Sequence, residues 1–231
     1  MENPHLCNSI LFRGAKSNDA KVAVVLLHGR RQTPNDIYDC AQRIDMDAVR
    51  YAVPTADQAT WYPRGFMRPI EDNEPRLSQA LEAVDATVRA LSSEGFSYDR
   101  VVLMGFSQGA CLACEYVYRN PGRWGGLIVF TGGLFGPDGT VWKATASFHE
   151  TPVFLGIGDP DEWIPASRVK ETADAFRAAG AEVRERIYPG IGHRICDQEI
   201  AEARQILIAL MTTSNEATPA KTLVTHSGAA L

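Results

Sequence analysis

Gly105-Phe106-Ser107-Gln108-Gly109 is a G-x-S-x-G pentapeptide. A serine hydroxyl is a poor nucleophile at neutral pH and needs a base within hydrogen-bond reach. The pentapeptide follows an apolar run at 100–104 (RVVLM) and opens a helical stretch over about 108–119. A strand–turn–helix setting of this kind presents a serine on a sharp turn at the end of a buried strand. Glycine on either side lets strand and helix approach each other. Ser107 is therefore the candidate nucleophile.

The base must come from five histidines. In enzymes built on such a turn, the partners follow in the chain order serine, acid, histidine. That order excludes His5 and His28. His149 has no strand-end acid between it and Ser107, and His226 falls in a polar tail. His193 remains, in the glycine-flanked loop Tyr188-Pro189-Gly190-Ile191-Gly192-His193. An acid is needed to orient the imidazole and stabilise its cation. It should follow the preceding strand, where residues 158–165 (GDPDEWIP) offer Asp159, Asp161 and Glu162. Spacing does not choose among the three.

The elements that must position these groups alternate along the chain. Residues 21–27 (KVAVVLL), 100–104, 126–131 and 152–157 are short, β-branched apolar runs, as expected of parallel strands buried on both faces. A shorter strand is expected near 50–54, and an alternating, less buried one at 182–188. Between them lie helical patterns. Thr33-Pro34 reads as a cap and first turn, with Ile37, Ala41 and Ile44 facing inward. Residues 75–93 carry Leu77, Leu81, Val84, Val88 and Leu91 at spacings of three and four, with Asn73 as candidate cap and Gly95 as terminator. Helices over about 166–179 and 197–211 complete the set. Strands alternating with helices imply an α/β fold around a mostly parallel sheet with helices on both faces.

Residues 55–72 and 132–151 are long loops, which in a compact domain usually serve function. The chain has 231 residues, 45% hydrophobic and 22% charged, with a net charge of −5. That is enough for one sizeable core without disulfide or metal staples. We expect one domain over 1–212 and a disordered tail over 213–231, where large apolar groups are few. The acidic balance argues against nucleic-acid binding, which needs concentrated Lys and Arg. No apolar run reaches membrane-span length, and the first residues lack a signal-peptide pattern. Five cysteines without a framework spacing then suit reduced thiols in the cytoplasm. Cys111-x-x-Cys114 falls inside the helix after Ser107, where packing explains it better than redox chemistry or zinc.

Taken together, LLHGR at 26–30, NEP at 73–75, GFSQGA at 105–110, TGGL at 131–134, GDPDEWIP at 158–165 and YPGIGH at 188–193 resemble the phospholipase/carboxylesterase family of α/β-hydrolases, which includes acyl-protein thioesterases. The resemblance runs over about 21–211. It implies an α/β-hydrolase fold, and the short body leaves little room for a large cap domain. Its D-x-x-[VI]-P acid segment falls on Asp161-Glu162-Trp163-Ile164-Pro165, which puts Asp161 at the acid position. Its oxyanion hole falls on the backbone N–H groups of Arg30 and Gln108. Two departures stand out: Arg31 where relatives commonly read glycine, and Glu162 where they usually carry proline. If the Arg31 position needs positive φ, a side chain there is strained.

The resemblance thus implies a serine hydrolase cleaving carboxylic esters through Ser107, His193 and Asp161, with no metal or organic cofactor. A homodimer is compatible with it. The expected substrate is a small-molecule carboxylic ester; the alternative is a lysophospholipase or acyl-protein thioesterase preferring long acyl chains. A rival of another class is a catalytically silent scaffold on the same fold. Trp61, Tyr62 and Phe66, in the first long loop, are candidates for the wall of an acyl pocket, as is Leu134 after the TGG turn. Arg30, Arg31, Arg64 and Arg68 are candidates for a basic mouth that attracts anions despite the acidic total.

Overall fold

The computed structural model describes residues 2–213; Thr213, expected in the tail, instead closes the last helix, and the rest of the expected tail lies outside the described residues. Seven strands form one sheet: β1 (Leu11–Gly14), β2 (Val22–Leu27), β3 (Val49–Val53), β4 (Val101–Phe106), β5 (Gly126–Phe130), β6 (Pro152–Asp159) and β7 (Glu182–Pro189). Their spatial order is β1-β3-β2-β4-β5-β6-β7. Every neighbouring pair is parallel except β1 with β3. Five α-helices complete the fold: α1 (Pro34–Gln42), α2 (Arg76–Ser93), α3 (Gln108–Arg119), α4 (Ala166–Ala178) and α5 (Asp197–Thr213).

The run Val22–Leu27 shows why the middle of the sheet is apolar throughout. Side chains alternate across a strand. Ala23, Val25 and Leu27 pack in one core layer with α2, α3 and α4. Val22, Val24 and Leu26 pack in the other with α1 and α5. All six are fully buried, and each valine or leucine contributes about 1.5–3 kcal/mol by leaving water. An edge strand has less to cover. β7 alternates between exposed and half-buried residues, as its sequence pattern predicts.

Local signals set the helix ends, with one correction. Thr33 caps α1 in a capping box with Asp36, whose carboxylate accepts from the Thr33 N–H at 2.6 Å. Asn73 does not cap α2. The helix starts after Pro75, and Asn73 is buried one turn earlier. There its side chain accepts from the Arg64 N–H at 2.8 Å and donates to the Gly65 carbonyl at 3.2 Å. Gly95, at φ +100°, turns the chain after α2 as expected. Strand β1 is an addition: four half-buried or exposed residues carry no apolar pattern that would announce them.

α3 is the most enclosed helix, with every residue from Gln108 to Tyr118 buried. Cys111 and Cys114 lie inside it as free thiols. Burial pushes Cys111 up to about 12 and raises Cys114 as well, so neither is poised as a thiolate.

Candidate active site

Ser107 sits between the end of β4, the central strand, and the first turn of α3. Its backbone has φ 53° and ψ −118°, a conformation that L-residues rarely adopt. The surroundings enforce it. A Cβ on Gly105 would strike the backbone of Gly109, and one on Gly109 would strike the carbonyls of Leu27 and His28. The Ser107 N–H donates to the Phe130 carbonyl at 3.0 Å, which ties the turn to β5.

His193 arrives on the loop after β7. Its Nδ1 lies 2.7 Å from Asp161 Oδ2, and its Nε2 lies 2.9 Å from Ser107 Oγ. A carboxylate can only accept, so Nδ1 carries the proton and Nε2 is left to accept from the Ser107 hydroxyl. The Asp161 side chain is 1% exposed and the imidazole 17%. The other Asp161 oxygen accepts from the N–H groups of Trp163 and Ile164 at 2.8 and 2.9 Å. This turn aims the carboxylate at the ring. Asp159 and Glu162 are exposed, and neither hydrogen-bonds to the imidazole.

The backbone N–H groups of Arg30 and Gln108 have no intramolecular acceptor among the described residues. The loop holding Arg30 is fastened from several sides. Gly29 N–H donates to Gln32 Oε1, and Arg31 N–H donates to the Ala59 carbonyl, both at 2.8 Å. Buried His28 accepts from Ala56 N–H at Nε2 and donates from Nδ1 to the Gly29 carbonyl. Arg31 has φ 63°, so the non-glycine residue in this loop does sit in the left-handed region.

A cleft of ≈ 540 Å³ opens beside Ser107 and His193. Tyr62 and Phe66 line it, as expected from the sequence. Trp61 and Leu134 lie behind it instead, both fully buried. The Trp61 ring turns under the Arg30 loop, 5.0 Å from the His28 ring, and its indole N–H donates to the His28 carbonyl. Leu134 is drawn inward because its N–H donates to Thr172 Oγ1 and its carbonyl accepts from Arg168. Arg31, Arg64, Cys111, Trp163 and Ile164 also line the cleft, whereas Arg68 does not. Trp163 and Ile164 lie within the acid segment itself, a position that could have flagged them.

Two side chains hold the walls. Gln108 Oε1 accepts from the Trp61 N–H at 2.9 Å, and its Nε2 donates to the Tyr62 carbonyl at 2.8 Å. Arg168 is fully buried, and its guanidinium donates to the carbonyls of Leu134, Gly136 and Pro137. Neither role has a sequence pattern that announces it.

Glu199 supports the loop that carries His193. Its Oε2 accepts from the Cys196 N–H at 2.8 Å, while Oε1 is buried with no partner among the described residues. Burial pushes this carboxyl up to about 7, above its unfolded value of 4.5. A raised carboxyl stabilises most below the unfolded value and loses that advantage as pH rises through about 7. Burial lowers His5 to about 4, from 6.5, so its cost grows as pH falls from 6.5 towards 4. Glu199→Gln should therefore gain stability over the wild type between pH 4.5 and 7, by roughly 3 kcal/mol in the limit. Urea denaturation at pH 5 and pH 8 checks this. A constant difference between the two pH values contradicts it.

A serine turn on the middle strand of a mostly parallel sheet is the arrangement of the α/β-hydrolases. The chain belongs to the phospholipase/carboxylesterase family, which matches residues 12–211. A crystal structure of a phospholipase/carboxylesterase from Dyadobacter fermentans is 37% identical, with a TM-score of 0.82, covering 87% of this chain and 96% of that one. Esterase PE8 is 25% identical, with a TM-score of 0.74, covering 88% and 99%. Acyl-protein thioesterase 1 of Gibberella zeae is 24% identical over 223 residues, 86% of this chain and 93% of its own. Among the described residues, no helix is long and apolar enough to cross a membrane.

Proposed function

We propose that this carboxylic ester hydrolase works through Ser107, His193 and Asp161 on small-molecule esters. The hydrogen-bond chain from Ser107 Oγ through the imidazole to Asp161 carries the reading. Ser107 Oγ attacks the acyl carbonyl while His193 Nε2 takes its proton. The carbonyl oxygen becomes an oxyanion held by the free N–H groups of Gln108 and Arg30. Such a donor is worth about 3–4 kcal/mol in the transition state. His193 then returns the proton to the leaving alkoxide, and the acyl group stays on Ser107. Water, deprotonated at the same Nε2, releases the acid. Asp161 holds the imidazole in the required tautomer and stabilises its cation.

The open cleft with arginines at its mouth favours short or medium acyl groups over long apolar ones. The acyl-protein thioesterases among the relatives support a second reading, thioester cleavage with a long acyl chain. Hydrolysis of p-nitrophenyl esters from acetate to palmitate separates the two. An optimum at two to four carbons supports the first reading, and one at eight or more supports the second. Folded protein that turns over none of them would favour the silent scaffold.

The acid is tested in the same assay. Asp161→Asn should lose about 10³–10⁴-fold in kcat, because the amide favours the wrong imidazole tautomer. Asp159→Asn should stay within about threefold of wild type, since surface changes away from the imidazole perturb little. The reverse ranking would transfer the acid role to Asp159.

A further inference from the structure

We infer that the cleft selects esters bearing a second, anionic group, a carboxylate or phosphate that Arg31 and Arg64 hold while Ser107 attacks the carbonyl. The inference rests on the esterase reading above and narrows its substrate class.

Among the described residues, three arginines and no carboxylate line the cleft, in a chain whose net charge is −5. Arg30 is occupied as a strut: its guanidinium donates to the carbonyls of Tyr62, Pro63 and Arg64 at 2.8, 3.2 and 3.1 Å. Arg31 and Arg64 differ. Both are exposed, and neither guanidinium has an ion pair or acceptor among the described residues. Ten other arginines form ion pairs. Arg68 and Arg194 are also without an ion pair or acceptor among the described residues, but of these free cations only Arg31 and Arg64 line the cleft.

Their backbones are fixed, so the cations spring from set points. The Arg64 N–H donates to buried Asn73, and its carbonyl accepts from Arg30. Arg31 is tied through its N–H to Ala59. It also holds a left-handed backbone, which costs an L-residue roughly 1–2 kcal/mol and glycine almost nothing. The turn would form more readily with glycine, and what the arginine adds is its side chain in the cleft. A guanidinium offers a planar fork of donors that matches carboxylate and phosphate oxygens. A neutral acyl chain gains nothing from it.

The test uses matched pairs of substrates. The mono-p-nitrophenyl ester of adipic acid, with a free carboxylate, is compared with its methyl-capped diester. p-Nitrophenyl 5-phosphonopentanoate, compared with its dimethyl phosphonate ester, supplies the phosphate-like anion. 4-Carboxyphenyl butanoate and its methyl ester place the anion on the leaving group. We expect kcat/KM at least about tenfold higher for the anion than for its neutral partner in one or more pairs, shrinking in 0.5 M NaCl as screening predicts. Whether carboxylate or phosphonate shows the larger ratio identifies the anion. Arg31→Gly and Arg64→Gln should each lower the ratio about five- to tenfold, whereas Arg68→Gln, outside the cleft, should not. Arg31→Gly should melt no lower than wild type, which excludes unfolding as the cause. Neutral butanoate turnover with ratios of one or less in every pair overturns the inference alone, as do ratios unmoved in both cleft variants. Absence of Ser107-dependent cleavage on every substrate overturns the esterase reading with it.

Discussion

Ser107→Ala is expected to lower kcat/KM for p-nitrophenyl butanoate by at least about 10⁴-fold, while the protein stays folded. Removing the nucleophile of such a triad leaves only the contribution of the oxyanion donors and of binding, roughly 10³–10⁴ over water. Circular dichroism and thermal melting would show the fold intact, because the hydroxyl makes one hydrogen bond, to His193 Nε2. Ser107→Gly should be equally inactive, yet more stable than the alanine variant. At φ 53° and ψ −118° a Cβ is a burden that glycine lacks. A residual activity within tenfold of wild type in either variant would remove Ser107 as nucleophile.

The second large effect is structural. Gly109→Ala should destabilise the protein by about 3 kcal/mol or more, a fall in Tm of roughly 6–12 °C for a chain of this size. The added Cβ would meet the carbonyls of Leu27 and His28, which belong to backbone and cannot swing aside. Relief requires α3 to move off β2. That shift also carries the Gln108 N–H away from the oxyanion it is proposed to hold, so activity should fall with stability. Gly122→Ala is the matched control: a Cβ there meets nothing within 4 Å. It should be neutral or slightly stabilising. Equal melting temperatures for the two variants would refute the close approach of α3 to β2.

Much of this arrangement is legible before folding. The four buried strands announce themselves because both faces of a central parallel strand are covered, leaving runs such as Val22–Leu27 without a polar residue. Ser107 stands out for the glycines around it, and His193 for its place in chain order. What escapes is decided by tertiary geometry. Spacing leaves Asp159 and Asp161 open; the family's acid segment points to Asp161, and the path of the turn is what brings that carboxylate to the ring. Trp61 and Tyr62 are adjacent, yet one ring goes under the Arg30 loop and the other faces the cleft. Asn73 has a capping residue's chemistry, but the helix starts after Pro75, and the amide clamps Arg64 and Gly65 instead. Arg168 looks like any helix-surface arginine in sequence and is fully buried.

That buried arginine bears on how substrate meets the cleft. Residues 134–137 belong to no helix or strand, and a segment of that kind usually opens at a small fraction of the global unfolding free energy. Here one guanidinium gathers three of its carbonyls, Gly136 N–H reaches the Phe66 carbonyl, and Phe135 packs edge-on against Tyr62. This segment lies behind Tyr62 and Phe66, which do line the cleft, so the support of that wall opens only if α4 lets go. Ordering such a backbone costs about 1–2 kcal/mol per residue, and this cost is met when the chain folds. An arriving ester finds the wall preorganised, so its binding energy is not diverted into building the site.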